Sequence, residues 1–241
     1  PVAESRRAVV VTTFENLTGE PSCEYLSKAI PNLLITSLEQ STGIRVLTWE
    51  RMRDVARRLG HKDATGFSPD LGCEICEAED VSVMVVGSFT RAGETFATDA
   101  RALHATTKEP LASASSRGRG IDSILERQVD ELSRQLLGGL GLLDAEMTEE
   151  VQPVAEATTS SMEAYRLFLK GRDAYDRLYN SDALELLSGA TEEDPGFATA
   201  YLYLGKVQNR LREIDAGRRS IQKAMEHASG TSRRERLYIE A

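Results

Sequence analysis

AYRLFLKGRDAYDRLYNSDALELLSGATEEDPGF, residues 164–197, runs straight into ATAYLYLGKVQNRLREIDAGRRSIQKAMEHASGT, residues 198–231. Laid one over the other, Gly171, Ala183, Leu187 and Ala190 fall on Gly205, Gly217, Ile221 and Ala224, each pair 34 residues apart. Small residues at fixed places suit two crossing helices, because an added β-carbon at the crossing would push the backbones apart. A fixed period of this length predicts paired helices stacked into an array.

The pattern resembles the tetratricopeptide repeat. The first copy supplies Leu167, Gly171, Ala183, Leu187, Ala190 and Pro195; the second supplies Tyr201, Leu204, Gly205, Ile221 and Ala224, with Gly217 where alanine is usual. Ser160-x-x-Glu163 and Ser232-x-x-Glu235 read as capping boxes that open helices, and Asp194-Pro195 ends one. The second box starts a third helix pair, 232–241. Stacked repeats bury their faces only against neighbours, so the parent protein is expected to continue past Ala241.

Upstream, Ala8–Phe14 (AVVVTTF) reads as a buried strand and Glu15–Pro21 as a turn-rich connection. Leu26, Ile30, Leu33, Leu34 and Leu38 have helical spacing, with a kink or a second helix start expected at Pro31, which has no N–H to donate. Gly43 is placed to close that helix. Ile44–Trp49 reads as a strand, Glu50–Leu59 as a helix, Gly60–Gly66 as a loop and Pro69–Asp80 as a short helix. Val81–Phe89 has an unbroken apolar centre, the mark of a strand buried on both faces. Thr95–His104 and Pro110–Ser116 continue a meander through the turn at Arg91–Glu94, and Ile121–Leu140 reads as one long amphipathic helix. The fold class predicted is an α/β mixed-sheet domain of about five strands over residues 1–143, then an all-α array of helical hairpins over 161–241. Residues 144–160 (DAEMTEEVQPVAEATTS) are acidic and aperiodic and read as a linker.

The chain has 241 residues, 41% hydrophobic and 28% charged, which is ordinary globular composition. No window reaches the roughly 18 to 20 apolar residues that span a bilayer. The opening PVAESRR has neither a methionine nor a signal-peptide pattern and reads as a cut from a longer protein. Net charge is −9, and residues 1–150 carry most of it, with 16 Lys+Arg against 24 Asp+Glu. That sign argues against nucleic acid and anionic membrane surfaces as partners. Three cysteines, Cys23, Cys73 and Cys76, are no disulfide framework.

Val9–Leu26 (VVVTTFENLTGEPSCEYL) resembles the opening strand and loop of the TolB amino-terminal-like domain. Val85–Leu103 (VVGSFTRAGETFATDARAL) resembles that family's hairpin, and Ile121–Leu142 its closing helix. The resemblance implies a domain outside the membrane beside tetratricopeptide repeats, in bacterial receptors whose output is a cytoplasmic serine/threonine kinase, an adenylate cyclase or a DNA-binding domain. It brings no catalytic residues, and GCEICEAE at 72–79 departs from its pattern.

Cys73-x-x-Cys76 is the one metal-like or redox-like spacing. Structural zinc takes four ligands, and His61 and Cys23 would have to come from afar; on a short helix the pair reads as two half-buried small side chains, with a disulfide or a bound metal as the alternatives. His61, His104 and His227 stand alone and read as surface or structural residues. There is no GxxxxGK[ST] loop and no kinase HRD or DFG. Gly138, Gly139 and Gly141 follow a helix and read as its C-cap. Glu149-Glu150 and Glu192-Glu193 read as solvated faces.

The leading expectation is a non-catalytic sensory and protein-interaction module, extracytoplasmic by resemblance, with no cofactor, no metal and no catalytic residue. A homodimer stays open. Transferred from the repeat motif, the inner wall of the groove is Tyr165, Phe168, Arg172, Tyr175 and Asp176, then Thr199, Leu202, Lys206, Asn209 and Arg210. Arg172, Lys206 and Arg210 make that wall basic, which favours an extended segment carrying carboxylates; the alternatives are a merely solvated face, or a groove taken up by the acidic linker or first domain of the same chain. Two other functions are weighed. One is a small-molecule-binding α/β regulatory domain with a pocket near Glu15–Gly19 and Trp49. The other is a thiol-dependent enzyme using Cys73 and Cys76.

Overall fold

The valines of β1 (Arg7–Val11) take the centre of the sheet because they can be buried on both sides: Val9, Val10 and Val11 have no exposed surface. The computed structural model describes residues 7–41, 43–62, 64–142 and 152–240. The chain divides into two compact units, Pro1–Val151 and Gln152–Ala241.

In the first unit β1 pairs in parallel with β3 (Ile44–Val46) on one side and β4 (Val83–Ala92) on the other. β5 (Thr95–His104) and β6 (Pro110–Arg119) extend the sheet as an antiparallel meander. The order is β3-β1-β4-β5-β6, with the two-residue β2 (Glu15–Asn16) added in parallel beside the end of β4. Among the described residues that makes six strands where about five were expected; β2 is too short to show in the hydrophobic pattern.

Helices cover the sheet as its burial pattern requires. α1 (Leu26–Leu38) packs on α4 (Val129–Gly139), which also lies on β5 and β6. α2 (Trp49–Arg58) and α3 (Pro69–Ala78) pack together, and α3 lies on β1 and β4. Gly72 of α3 lets this approach happen: a β-carbon there would meet Met84 Sδ at 2.8 Å. In β5 the side chains of Phe96, Thr98, Ala100 and Ala102 alternate inward, as a strand with one covered face must.

Two helical expectations are corrected. No second helix starts at Pro31: α1 runs through it as a single helix. The carbonyl that Pro31 cannot bond, that of Ser27, accepts the N–H of Phe14 at 3.0 Å, so the polar group is satisfied. The helix expected over Ile121–Leu140 begins instead with a π turn at Ile124–Gln128. Gln128, with no exposed surface, sits under the sheet, where its Oε1 accepts from Thr98 Oγ1 at 2.9 Å and its Nε2 donates to Ser123 Oγ at 2.9 Å. A π turn re-aims one side chain inward. At the far end Gly141, at φ +67°, lets the N–H of Leu142 reach Leu137 O at 2.9 Å, the C-cap read from the glycines.

The second unit begins earlier than the linker reading placed it. Residues 144–151 lie outside the described residues. Within the stretch read as linker, α5 (Val154–Ala157) buries Val154 and Ala157 completely, because two apolar side chains on one turn have a surface to cover. Two hairpins follow, α6 (Met162–Asp176) with α7 (Asn180–Glu193) and α8 (Ala198–Arg210) with α9 (Ile214–His227), then α10 (Arg233–Glu240). The cap of α6 is Ser161, which accepts from Ala164 N, one residue past the capping box expected at Ser160. Ser232 caps α10 as expected, accepting from Glu235 N at 3.3 Å.

The 34-residue period is built into the backbone as well as the side chains. Leu178 and Arg212, 34 apart, both sit at φ +66°. Each turn is closed by a bond reaching back five residues, Tyr179 N to Ala174 O and Glu213 N to Gln208 O, both at 2.9 Å. This is the helix ending that normally takes glycine. At the crossings, a β-carbon on Gly171 would meet Leu187 Cγ at 2.7 Å, and one on Gly205 would meet Ile221 Cγ1 at 2.7 Å.

Candidate protein-binding face

The first and third long helices of the array, α6 and α8, share a ladder of aromatic rings. Phe168 lies 5.0 Å from Phe197 and 5.7 Å from Tyr203, centroid to centroid. Tyr165 lies 6.0 Å from Phe168 and 6.3 Å from Phe197, and Tyr175 meets Tyr203 edge-on at 5.6 Å. Such spacings are those of attractive ring pairs. Cations sit over several of the rings. The Arg172 guanidinium is 5.5 Å from the centre of Phe168, Arg210 3.5 Å from Tyr175, and Lys206 5.3 Å from Tyr203 and 4.0 Å from Tyr238 of α10. Arg210 Nη1 also donates to Tyr175 O at 2.8 Å, and Lys206 Nζ to Tyr238 Oη at 2.7 Å. Burial pushes the Tyr175 phenol up, against the pull of Arg210, so it remains a neutral donor at pH 7.

The expected wall therefore separates into two layers. Tyr165, Phe168, Thr199 and Leu202 are buried and form its base. Arg172, Tyr175, Asp176 and Lys206 are half-buried, and Asn209 and Arg210 are exposed. Asn209 Oδ1 lies against Gly217, which faces it without a β-carbon. Tyr203, Phe197 and Tyr238 were not among the expected residues; the doubled aromatics of Tyr201-Leu202-Tyr203 are the sequence signal that could have found the first.

Beside Trp49, where a pocket was expected with Glu15–Gly19, stands Phe67. Its N–H donates to Thr13 Oγ1 at 2.6 Å, its carbonyl accepts from Thr13 N at 2.9 Å, and its ring packs on Trp49 at 4.6 Å. The histidines have local partners. His61 pairs with Glu74 at 3.0 Å, His104 Nδ1 accepts from Thr106 N and Thr107 N, and His227 stacks on Tyr201. Cys73 and Cys76 are free thiols on α3, and Cys73 Sγ accepts from Lys108 Nζ at 2.9 Å. No three His, Cys, Asp or Glu residues among those described converge as metal ligands. No described helix is long and apolar enough to cross a membrane.

No family model matches the chain. Over 207 residues, 85% of its length, it is 27% identical to a protein of Rhizobium meliloti (strain 1021) named "Putative adenylate cyclase 3". It spans 33% of that protein, about a third of the relative's length. Among solved structures, the LpoB C-terminal domain from Escherichia coli aligns at 11% identity and a TM-score of 0.37, over 47% of this chain and 82% of that one. Lipoprotein GNA1162 from Neisseria meningitidis aligns at 17% and 0.35, over 48% and 83%. The PelC dodecamer from Paraburkholderia phytofirmans aligns at 11% and 0.37, over 56% and 87%. Scores this low carry no functional argument.

Proposed function

We propose that the chain is a regulatory and protein-interaction module whose helical unit is a tetratricopeptide array that binds an extended acidic segment of a partner protein. The carrying observation is the ladder of aromatic rings capped by Arg172, Lys206 and Arg210. Cations seated on aromatic faces are held in place on the wall, and guanidinium groups take carboxylates bidentately. The neighbouring rings offer flat contact area that loses little entropy on binding. Peptide capture by such an array needs no catalytic group and no cofactor.

The module is further proposed to be one part of a larger bacterial signalling protein, its α/β unit of the TolB amino-terminal-like kind and lying outside the membrane. The strand–loop, hairpin and closing-helix order supports that reading, and the relative's name favours a cyclase output over a kinase.

An acidic-peptide display library tests the binding. The wild-type chain is expected to enrich sequences rich in Asp and Glu. R172E with R210E should weaken the enriched peptides by about tenfold or more, since a hydrogen bond to a charged group contributes about 1.5–3 kcal/mol, while circular dichroism shows the helical unit still folded. Enrichment of neutral or basic peptides by the wild type overturns the proposal.

A further inference from the structure

In the α/β unit, α3 and the β5–β6 turn bring together two thiols and an amine that the proposed binding does not use. Cys73 is half-exposed at the mouth of a cleft of about 530 Å³ that Cys76, His104 and Lys108 also line. Lys108 Nζ donates to Cys73 Sγ at 2.9 Å. The lysine is set there by the turn that leads out of β5: its N–H bonds His104 O at 2.8 Å, and its backbone is held at φ +61°, a region lysine seldom adopts. Hydrogen bonding to Cys73, with the electrostatic pull of Cys73 and of Asp70, holds the Lys108 ammonium above its ordinary range. Cys76 lies one turn further along the same helix and is buried. Burial, helped by Cys73, pushes its thiol up to about 12, so it keeps its proton at neutral pH.

We propose that Cys73 is a hydroperoxide-reactive thiol and that Cys76 resolves its oxidised form into an intrahelical disulfide. The cleft admits a small peroxide, and an ammonium in contact with the sulfur balances negative charge on it as it attacks. In the first step the Cys73 thiolate attacks the outer peroxide oxygen; an S–O bond forms, the O–O bond breaks, and the leaving alkoxide or hydroxide takes up a proton. In the second, the Cys76 sulfur displaces the hydroxyl of the sulfenic acid, which departs as water with the Cys76 proton. Overall two thiols and one hydroperoxide give one disulfide, one alcohol (water when the peroxide is H2O2) and one water. Residues i and i+3 of a helix have Cα atoms about 5 Å apart, inside the range a disulfide spans. Their Cβ atoms, about 5–6 Å apart in a regular helix, must close to about 4 Å. Oxidation therefore distorts α3 where it lies on β1 and β4.

Hydrogen peroxide is the probe, applied to the reduced full chain and followed by peptide mass mapping. Cys23, buried with its thiol donating to Glu20 Oε2 at 3.9 Å, is the internal reference. The wild type is expected to form the 73–76 disulfide while Cys23 stays reduced. C76S should instead accumulate a dimedone-trapped sulfenic acid at Cys73. K108M should slow loss of the Cys73 thiol by about tenfold, with K108R restoring it and circular dichroism confirming that each variant is folded. Oxidation of Cys73 no faster than Cys23, a K108M rate equal to wild type, or no 73–76 disulfide overturns the proposal.

Discussion

Replacing Phe197 by alanine is expected to unfold the helical unit under conditions where the α/β unit stays folded. Phe197 is 1% exposed and lies in the connection that leads from the first hairpin into the second. Its ring touches Tyr165 and Phe168, so it joins the two hairpins where neither could bury its aromatic face alone. Truncating a buried phenylalanine costs about 3–5 kcal/mol, a large share of the roughly 5–13 kcal/mol that a unit of about ninety residues has in total. Trp49, the single tryptophan, stands in the α/β unit, and its fluorescence reports that unit alone. Urea unfolding of F197A should therefore show the far-ultraviolet dichroism midpoint falling while the Trp49 midpoint holds. An equal fall of both would mean that the units do not unfold separately.

The second large effect is expected in the sheet. Gly87 stands in the middle of β4 opposite Ala100, and the place of its missing side chain is filled by the ring of Phe14. Phe14 is itself 1% exposed, and its N–H is tied to Ser27 O, so the ring has little room to retreat. Gly87→Val should cost about 3 kcal/mol, the upper part of the range for overpacking. Gly87→Val with Phe14→Ala should recover part of the loss, because the second change opens the space that the first one fills. Here the Trp49 midpoint is the one that moves. A Gly87→Val chain as stable as wild type would mean that Phe14 does not occupy that space.

The sequence made the helical array legible because its period is carried by side chains that do one job each. Gly171 and Gly205 mark the crossings, and Leu187 and Ile221 fill against them. The turns were not legible in the same way: Leu178 and Arg212 occupy left-handed positions where glycine is the signal one looks for. Pro31 misled because the partner of the freed Ser27 carbonyl, Phe14 N, is distant in sequence. The π turn at Ile124–Gln128 was hidden for a related reason, since Gln128 is polar and is buried only because Thr98 and Ser123 meet it. On the candidate face, motif spacing named Arg172, Tyr175, Lys206 and Arg210. It could not separate the rings that form the base, Tyr165 and Phe168, from those left at the surface, because both kinds recur on the same helical stripe. The contact between Lys108 and Cys73 joins positions 35 residues apart through the sheet, and no local pattern announces it.

The central claim is that Arg172, Lys206 and Arg210, standing on the aromatic ladder, take up an acidic extended segment. The most direct measurement is an NMR titration of the isotopically labelled chain with an acidic peptide selected from the display library. The account predicts that the largest shifts fall on the Arg172 and Arg210 side-chain Nε–H signals and on the amides around Tyr175 and Lys206, and that added salt reverses them. Shifts confined to the α/β unit, or to α7 and α9 with α6 and α8 unmoved, would contradict it.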